Sequence, residues 1–178
     1  MRVERWDGRT ADGWAPLADG AEAIVNLAGA SLSGEGLFPK RWTPDRKRLI
    51  RDSRLNSARA VVDAVRHVSR KPRALIQASG IGVYGDRGDD VVTEATPYGA
   101  DFLARFASAE WEPSTAPVEA MGVRRAIIRT GVVLSKTEGA LRPLLLQFRL
   151  FAGGPIGGGK QWISWIHLQD EARAIRIP

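Results

Sequence analysis

Three short apolar runs, each closed by glycine on its carboxyl side, constrain this chain most. They are Ala23 to Ala28 before Gly29, Ala74 to Ala78 before Ser79-Gly80, and Ala126 to Arg129, within Arg124 to Thr130, before Gly131. Each is too short for a helix and rich in Ile, Leu or Val, as a buried strand is. Between the first two, Thr43 reads as an N-cap, Pro44 as the first helical residue and Asp45 as a first-turn acid. Leu49, Ile50, Leu55, Val61, Val62 and Val65 then recur at helical spacing, and Arg46, Lys47, Arg48, Arg51, Arg59 and Arg66 take the opposite face. One amphipathic helix is expected to about Val68, ahead of Pro72. Between the second and third runs, a short helix is expected over Asp101 to Glu112, stopped by Pro113, because proline cannot continue the hydrogen-bond ladder.

Strand and helix in alternation imply an α/β fold with a parallel sheet. In such sheets ligands collect outside the carboxyl ends of the strands. The loops from Gly29, Ser79 and Thr130 onward should therefore line one crevice. Further along, Leu141 to Phe151 reads as helical, Trp162 to Ile166 as strand-like, and Gln169 to Ile177 as the opening turns of a helix. The first twenty residues carry no period and read as irregular.

Several chemistries drop out. With no cysteine and only His67 and His167, neither thiol catalysis nor a Cys- or His-based metal site is expected. No run approaches the length of a membrane span, and Met1 to Asp12 is polar, so the expected compartment is the cytoplasm. The net charge of +6 suits either a phosphorylated cofactor or nucleic acid. The arginines from Arg46 to Arg66 are not interleaved with stacking aromatics, so a solvated helix face is preferred to a nucleic-acid surface. Gly154 to Lys160 fits G-x-x-x-x-G-K, but Gln161 stands where a magnesium-binding Ser or Thr belongs. That stretch reads as a loop over the crevice.

Two constellations remain. At Asn26-Leu27-Ala28-Gly29, small residues would let a ribose or nicotinamide approach the backbone; the plainer alternative is a tight strand-to-loop turn. At Ser79-Gly80-Ile81-Gly82-Val83-Tyr84-Gly85, a serine hydroxyl and a tyrosine can both face the crevice. A tyrosine can pass a proton to a carbonyl or alcohol when a cation stands near. The plainer alternative is a turn-capping serine and a packed tyrosine.

These segments occur in series with Arg41-Trp42, Ser53-Arg54, Ala78 to Gly88, Trp111-Glu112, Ile128 to Leu134, Gly153 to Gly157, Gln161 to His167 and Asp170. In that order they resemble the uncharacterised, sugar-nucleotide-epimerase-like branch of the extended short-chain dehydrogenase/reductase superfamily, over nearly the whole chain. The resemblance implies a Rossmann-like parallel sheet with flanking helices, and NADP or NAD as cofactor, with NADP favoured. It implies carbonyl or alcohol redox chemistry on an unknown small molecule, such as a sugar nucleotide. Carried over, Asn26, Leu27, Ala28, Gly29, Ala30, Arg129, Thr130, Gly131 and Val132 become cofactor contacts, and Ser79 and Tyr84 the catalytic groups. His167 is expected to be a structural hydrogen-bonder.

The pattern departs from the family in three places. The G-x-x-G-x-x-G turn that seats a pyrophosphate on a helix N-terminus is not found before Ala23. The expectation is therefore a single partial NAD(P)-binding domain over residues 1–178, truncated at its N-terminus, without the first βαβ unit or the C-terminal region. No Tyr-x-x-x-Lys occurs: Tyr84 is followed at that spacing by Gly88 and Tyr98 by Phe102. Any activation of Tyr84 must come from elsewhere, Arg87 or the cofactor's charge being the candidates. Pro113 falls where relatives continue a helix. A dinucleotide-binding protein without catalysis is the alternative function, and a homodimer stays open.

Overall fold

The computed structural model describes residues 3–34, 40–137, 139–155 and 158–176. Strand β1 (Ala23–Asn26), helix α1 (Pro44–His67), strand β2 (Ala74–Gly80) and strand β3 (Arg124–Thr130) form its framework. The three strands are parallel, in the order β1-β2-β3. The register sets Asn26 beside Gln77, Ser79 beside Arg129 and Gly80 beside Thr130. The expected parallel α/β sheet is present, and its three glycine-bearing loops leave one edge.

Helix α1 starts as its sequence dictates. The Thr43 hydroxyl accepts from the Arg46 amide, and Pro44 takes the first position, where its missing N–H costs nothing. Its apolar face supplies Val61, Val62 and Val65 to a core with Leu75, Val118 and Val123. Burying each such side chain contributes roughly 1.5–3 kcal/mol. The N-terminal stretch is not wholly irregular: a 3₁₀ turn spans Ala15–Ala18, and Trp14 packs on this core. Strand β1 is less buried than its composition suggests. Among the described residues it pairs on one side only, and Val25 is exposed.

A second cluster, of Val83, Tyr84, Phe106, Ala107 and Trp111, lies beyond the end of β2. Its helical residues come from α2 (Phe102–Phe106), capped by the Asp101 carboxylate, and from a π turn over Ala107–Trp111. Here the sequence expectation needs correction. Pro113 does not stop the helical path, which continues as a 3₁₀ helix over Pro113–Met121. The Glu112 amide reaches back to the Ala107 carbonyl at 2.9 Å, a wider turn that precedes the proline.

Two further strands, β4 (Val132–Leu134) and β5 (Trp165–His167), form a separate parallel pair. Gly131 separates β3 from β4 for a steric reason: a Cβ there would sit 2.7 Å from the Ser164 carbonyl oxygen. Helices α3 (Leu141–Arg149) and α4 (Leu168–Ala174) complete the fold. The glycine-rich segment 153–159 includes residues 156 and 157, which lie outside the described residues, as does the end of the expected last helix at 177 and 178. Among the described residues, no helix is long and apolar enough to cross a membrane.

Candidate active site

The polar centre of the molecule forms where β2 and β3 end. Ser79 and Arg129 are register partners, so their side chains emerge side by side. Both converge on Glu112, a buried carboxylate delivered by the residue just after the π turn. The Ser79 hydroxyl donates to Glu112 Oε1 at 2.6 Å. Arg129 grips the same carboxylate with two bonds, Nε to Oε1 at 3.0 Å and Nη2 to Oε2 at 2.9 Å. The Tyr98 hydroxyl donates to Oε2 at 2.9 Å and accepts from Arg129 Nη2 at 2.7 Å. Arg129 Nη1 then donates to the Tyr84 hydroxyl oxygen at 2.8 Å. The guanidinium also lies over both phenol rings, 5.2 Å from the centroid of Tyr84 and 5.0 Å from that of Tyr98.

The electrostatics follow from these contacts. Burial alone would raise the Glu112 carboxyl, but hydrogen bonds from Arg129, Ser79 and Tyr98 outweigh it and hold the group below its ordinary 4.5. Arg129 is raised, first by its hydrogen bonds to Glu112. Tyr98 is raised, chiefly by desolvation and then by Glu112. Glu112 is therefore a fixed anion and Arg129 a fixed cation at neutral pH.

Tyr84 differs from Tyr98. Its oxygen accepts from Arg129, and no described residue accepts its proton. It lies on the wall of a cleft of about 1330 Å³, between the loop 85–94 and residues 160–164, which also reaches Arg129. Arg87, one of the candidates for activating Tyr84, is spent otherwise: it donates to the Tyr84 and Pro97 backbone carbonyls at 3.0 and 2.6 Å. The cation at the Tyr84 hydroxyl is Arg129.

The end of β1 is built differently. Asn26 is buried, and its amide donates to Gln77 Oε1 at 2.9 Å. The loop that follows is small-residue backbone, with Leu27 exposed at its start. One face of α1 holds it. Ser53 Oγ accepts from the Ala30 amide at 2.9 Å, Arg54 Nη1 donates to the Ala30 carbonyl at 3.1 Å, and Ser57 Oγ donates to the Ala28 carbonyl at 3.4 Å. Arg54 also stacks 4.8 Å over the Trp111 ring. Trp111 and Glu112, adjacent in sequence, thus face the two halves of the strand-end region.

The other expected contacts are dispersed. The Thr130 hydroxyl donates to Glu171 at 2.7 Å, and Gly131 lies against Ser164. Val132 pairs with Trp165. His167 caps α4 by accepting from the Gln169 amide at 3.3 Å, a structural role as expected. The basic face of α1 is locally paired, Arg48 with Asp45, Arg51 with Glu110 and Arg66 with Asp63. Sequence reasoning missed Glu112 and Tyr98 as site residues. The signal for Glu112 was its place beside Trp111; for Tyr98, the turn Thr96-Pro97-Tyr98-Gly99.

The loop at the β1 end is compact. Ala28 and Ala30 carry nothing beyond Cβ, and a Cβ at Gly29 would already press within 3.0 Å of Arg54. Arg54 fills the space beside Gly29, while Leu27 and Gly29 are themselves exposed.

No family model matches the chain. It is 41% identical over 159 residues to the chloroplastic homolog of epimerase family protein SDR39U1 from Arabidopsis thaliana, covering 88% of this chain and 44% of that protein. It is 41% identical over 153 residues to epimerase family protein YfhF of Bacillus subtilis, covering 85% of this chain and 48% of that one. The chain spans about half the length of the curated relatives it matches. Among solved structures, human epimerase family protein SDR39U1 (isoform 2) with NADPH superposes at a TM-score of 0.80 and 29% identity, covering 94% of this chain and 56% of that one. A nucleoside-diphosphate sugar epimerase from Corynebacterium glutamicum superposes at 0.76 and 36% identity, covering 97% and 34%.

Proposed function

We propose, from the premise that this chain belongs over the stretch it spans to the epimerase family within the extended short-chain dehydrogenase/reductase superfamily, that it carries the catalytic half of an NAD(P)-dependent oxidoreductase or epimerase site. The observation that carries this reading is the Tyr84 hydroxyl, held by Arg129 on the wall of the cleft and close to the strand ends. NADP is favoured over NAD because the human relative was solved with NADPH. The reading comprises a dinucleotide and a small carbonyl or hydroxyl substrate, of which a sugar nucleotide is one class. A cytoplasmic setting goes with it, although the plant relative is named chloroplastic.

The nicotinamide, when bound, supplies the acceptor or donor of hydride. The residues proposed to hold the cofactor are Asn26 to Ala30 and the backbone of Thr130 to Val132. Tyr84 moves the proton. Its free hydroxyl hydrogen is offered to a substrate oxygen, and Arg129 Nη1 stands where negative charge would develop on the phenol oxygen. Arg129 thus takes the place of the lysine that Tyr-x-x-x-Lys would supply. Ser79 has its own proton engaged on Glu112, so its lone pairs accept from a substrate hydroxyl. Glu112 touches no substrate in this scheme; it holds Arg129 and Ser79 in place.

The test is a titration of the purified chain with NADPH and NADH, followed by energy transfer from its six tryptophans. A panel of sugar nucleotides and simple carbonyls is then screened for turnover. Tyr84→Phe should lower turnover at least about 100-fold and leave NADPH affinity unchanged. Full turnover by Tyr84→Phe would remove Tyr84 from the chemistry. Saturable binding with no turnover across the panel would favour the non-catalytic dinucleotide-binding alternative.

A further inference from the structure

We propose that Arg54 is the positioning residue of the dinucleotide loop: it fixes the Leu27–Ala30 backbone from below and places beneath it a positive charge that an anionic ligand would compensate. The proposal rests on the reading of the β1 end as the cofactor side.

Loop Leu27–Ala30 cannot shape itself. Three of its four residues have no side chain beyond Cβ, so packing gives it little. Its shape comes from outside, through Ser53, Arg54 and Ser57, which share one face of α1 by helical spacing. The remaining tie is internal, from the Ala28 amide to Asn26 Oδ1 at 3.3 Å. Arg54 lies closest, since a Cβ on Gly29 would touch both its Cγ and its Cζ at 3.0 Å.

Arg54 is an odd residue to place there for packing alone. It is only 7% exposed. Its guanidinium donates to two backbone carbonyls, Ala30 at 3.1 Å and Ile50 at 3.0 Å, and lies over the Trp111 ring. Its Nε is buried without an acceptor. No described carboxylate offsets its charge: burial alone acts on it and pushes it down to about 10, still protonated at neutral pH. A buried cation without a counter-ion is costly, and an apolar side chain of similar volume would avoid that cost. The charge is explained if the missing counter-ion arrives with the ligand, and a dinucleotide carries its negative charge on phosphates.

The experiment compares wild type, Arg54→Lys, Arg54→Met and Ser53→Ala. Amide hydrogen exchange is read at Ala28 and Ala30, with Leu75 and Gln77 of β2 as internal controls, and each folded protein is titrated with NADPH. Arg54→Lys keeps the charge but loses the planar fork. It should speed exchange at Ala28 and Ala30 about tenfold, leave the β2 amides unchanged and weaken NADPH about threefold. Arg54→Met loses both features and should weaken NADPH by more than about tenfold. Should Arg54→Met fail to fold, Arg54→Gln takes its place in the NADPH titration as the test of the charge role, and Ser53→Ala supports the positioning test through faster exchange at Ala30. Loop exchange at the wild-type rate in folded Arg54→Lys would overturn the positioning role. Equal NADPH affinity in Arg54→Met would overturn the charge role. If wild type itself ignores NADPH, the cofactor reading falls and with it the charge role, while exchange still decides whether Arg54 shapes the loop.

Discussion

The ends of β1 and β3 lie on one edge of the same sheet, yet they are held by opposite means. At β3, side chains hold one another: Ser79, Tyr98 and Arg129 all bond Glu112, and Arg129 bonds Tyr84. At β1, side chains of α1 hold a backbone, and Leu27 and Gly29 stay exposed. A network of charges gives fixed positions for proton chemistry, where a misplaced group is expensive. A stitched backbone of small residues gives open surface, which is what a large flat ligand needs. The lesson is that one strand edge can be held in two different ways because each half is supported by a different helix.

The sharpest way to break the contrast is at Glu112. Glu112→Ala leaves Arg129 mostly buried and unpaired, and should destabilise the fold by about 3–5 kcal/mol in denaturant titration. A loss under about 1 kcal/mol would mean that the network is a surface feature.

Acid probes the same side. Because Glu112 is held below its unfolded value near 4.5, it contributes stability at and above that pH, and the contribution disappears as pH falls through the folded value. Urea midpoints should therefore drop below about pH 4.5 in wild type and drop less in Glu112→Gln. Parallel acid profiles would assign the sensitivity to other carboxylates.

At the β1 side, effects should shrink. Asn26→Ala strands a buried Gln77 oxygen and should cost about 2 kcal/mol by thermal melt. Ser57→Ala removes a hydroxyl shared between the Arg54 carbonyl at 2.9 Å and the Ala28 carbonyl at 3.4 Å, and should cost about 1 kcal/mol, with any Tyr84-dependent turnover unaltered. A Ser57→Ala loss as large as that of Glu112→Ala would erase the distinction between the two regions.

How much of this was legible follows from the range of the forces. Strands β1 to β3 and helix α1 are written locally, in apolar runs, in Thr43-Pro44 and in the glycines that close each strand. Ser79 and Tyr84 were legible as polar groups at a strand end. Glu112 was not, because a glutamate on a short helix reads as solvated. Its burial depends on Arg129, a register partner of Ser79 that local pattern cannot reveal. The bond from Arg129 to Tyr84 was hidden for the same reason. Pro113 misled because the rule against proline holds for the α ladder, and the chain changes to a π turn and then a 3₁₀ helix at that point. Strand β4 was hidden because Val132 to Leu134 continues the apolar run of β3, and the break at Gly131 exists only through contact with Ser164.

The most direct test of the two-part site is an NADPH titration monitored by backbone amide shifts across the whole chain. The account expects saturable changes at Leu27 to Ala30, at Gly80 and at Thr130 to Val132, with the basic face of α1 unmoved. Changes confined to Arg46 to Arg66, or none at all in a folded chain, would contradict it.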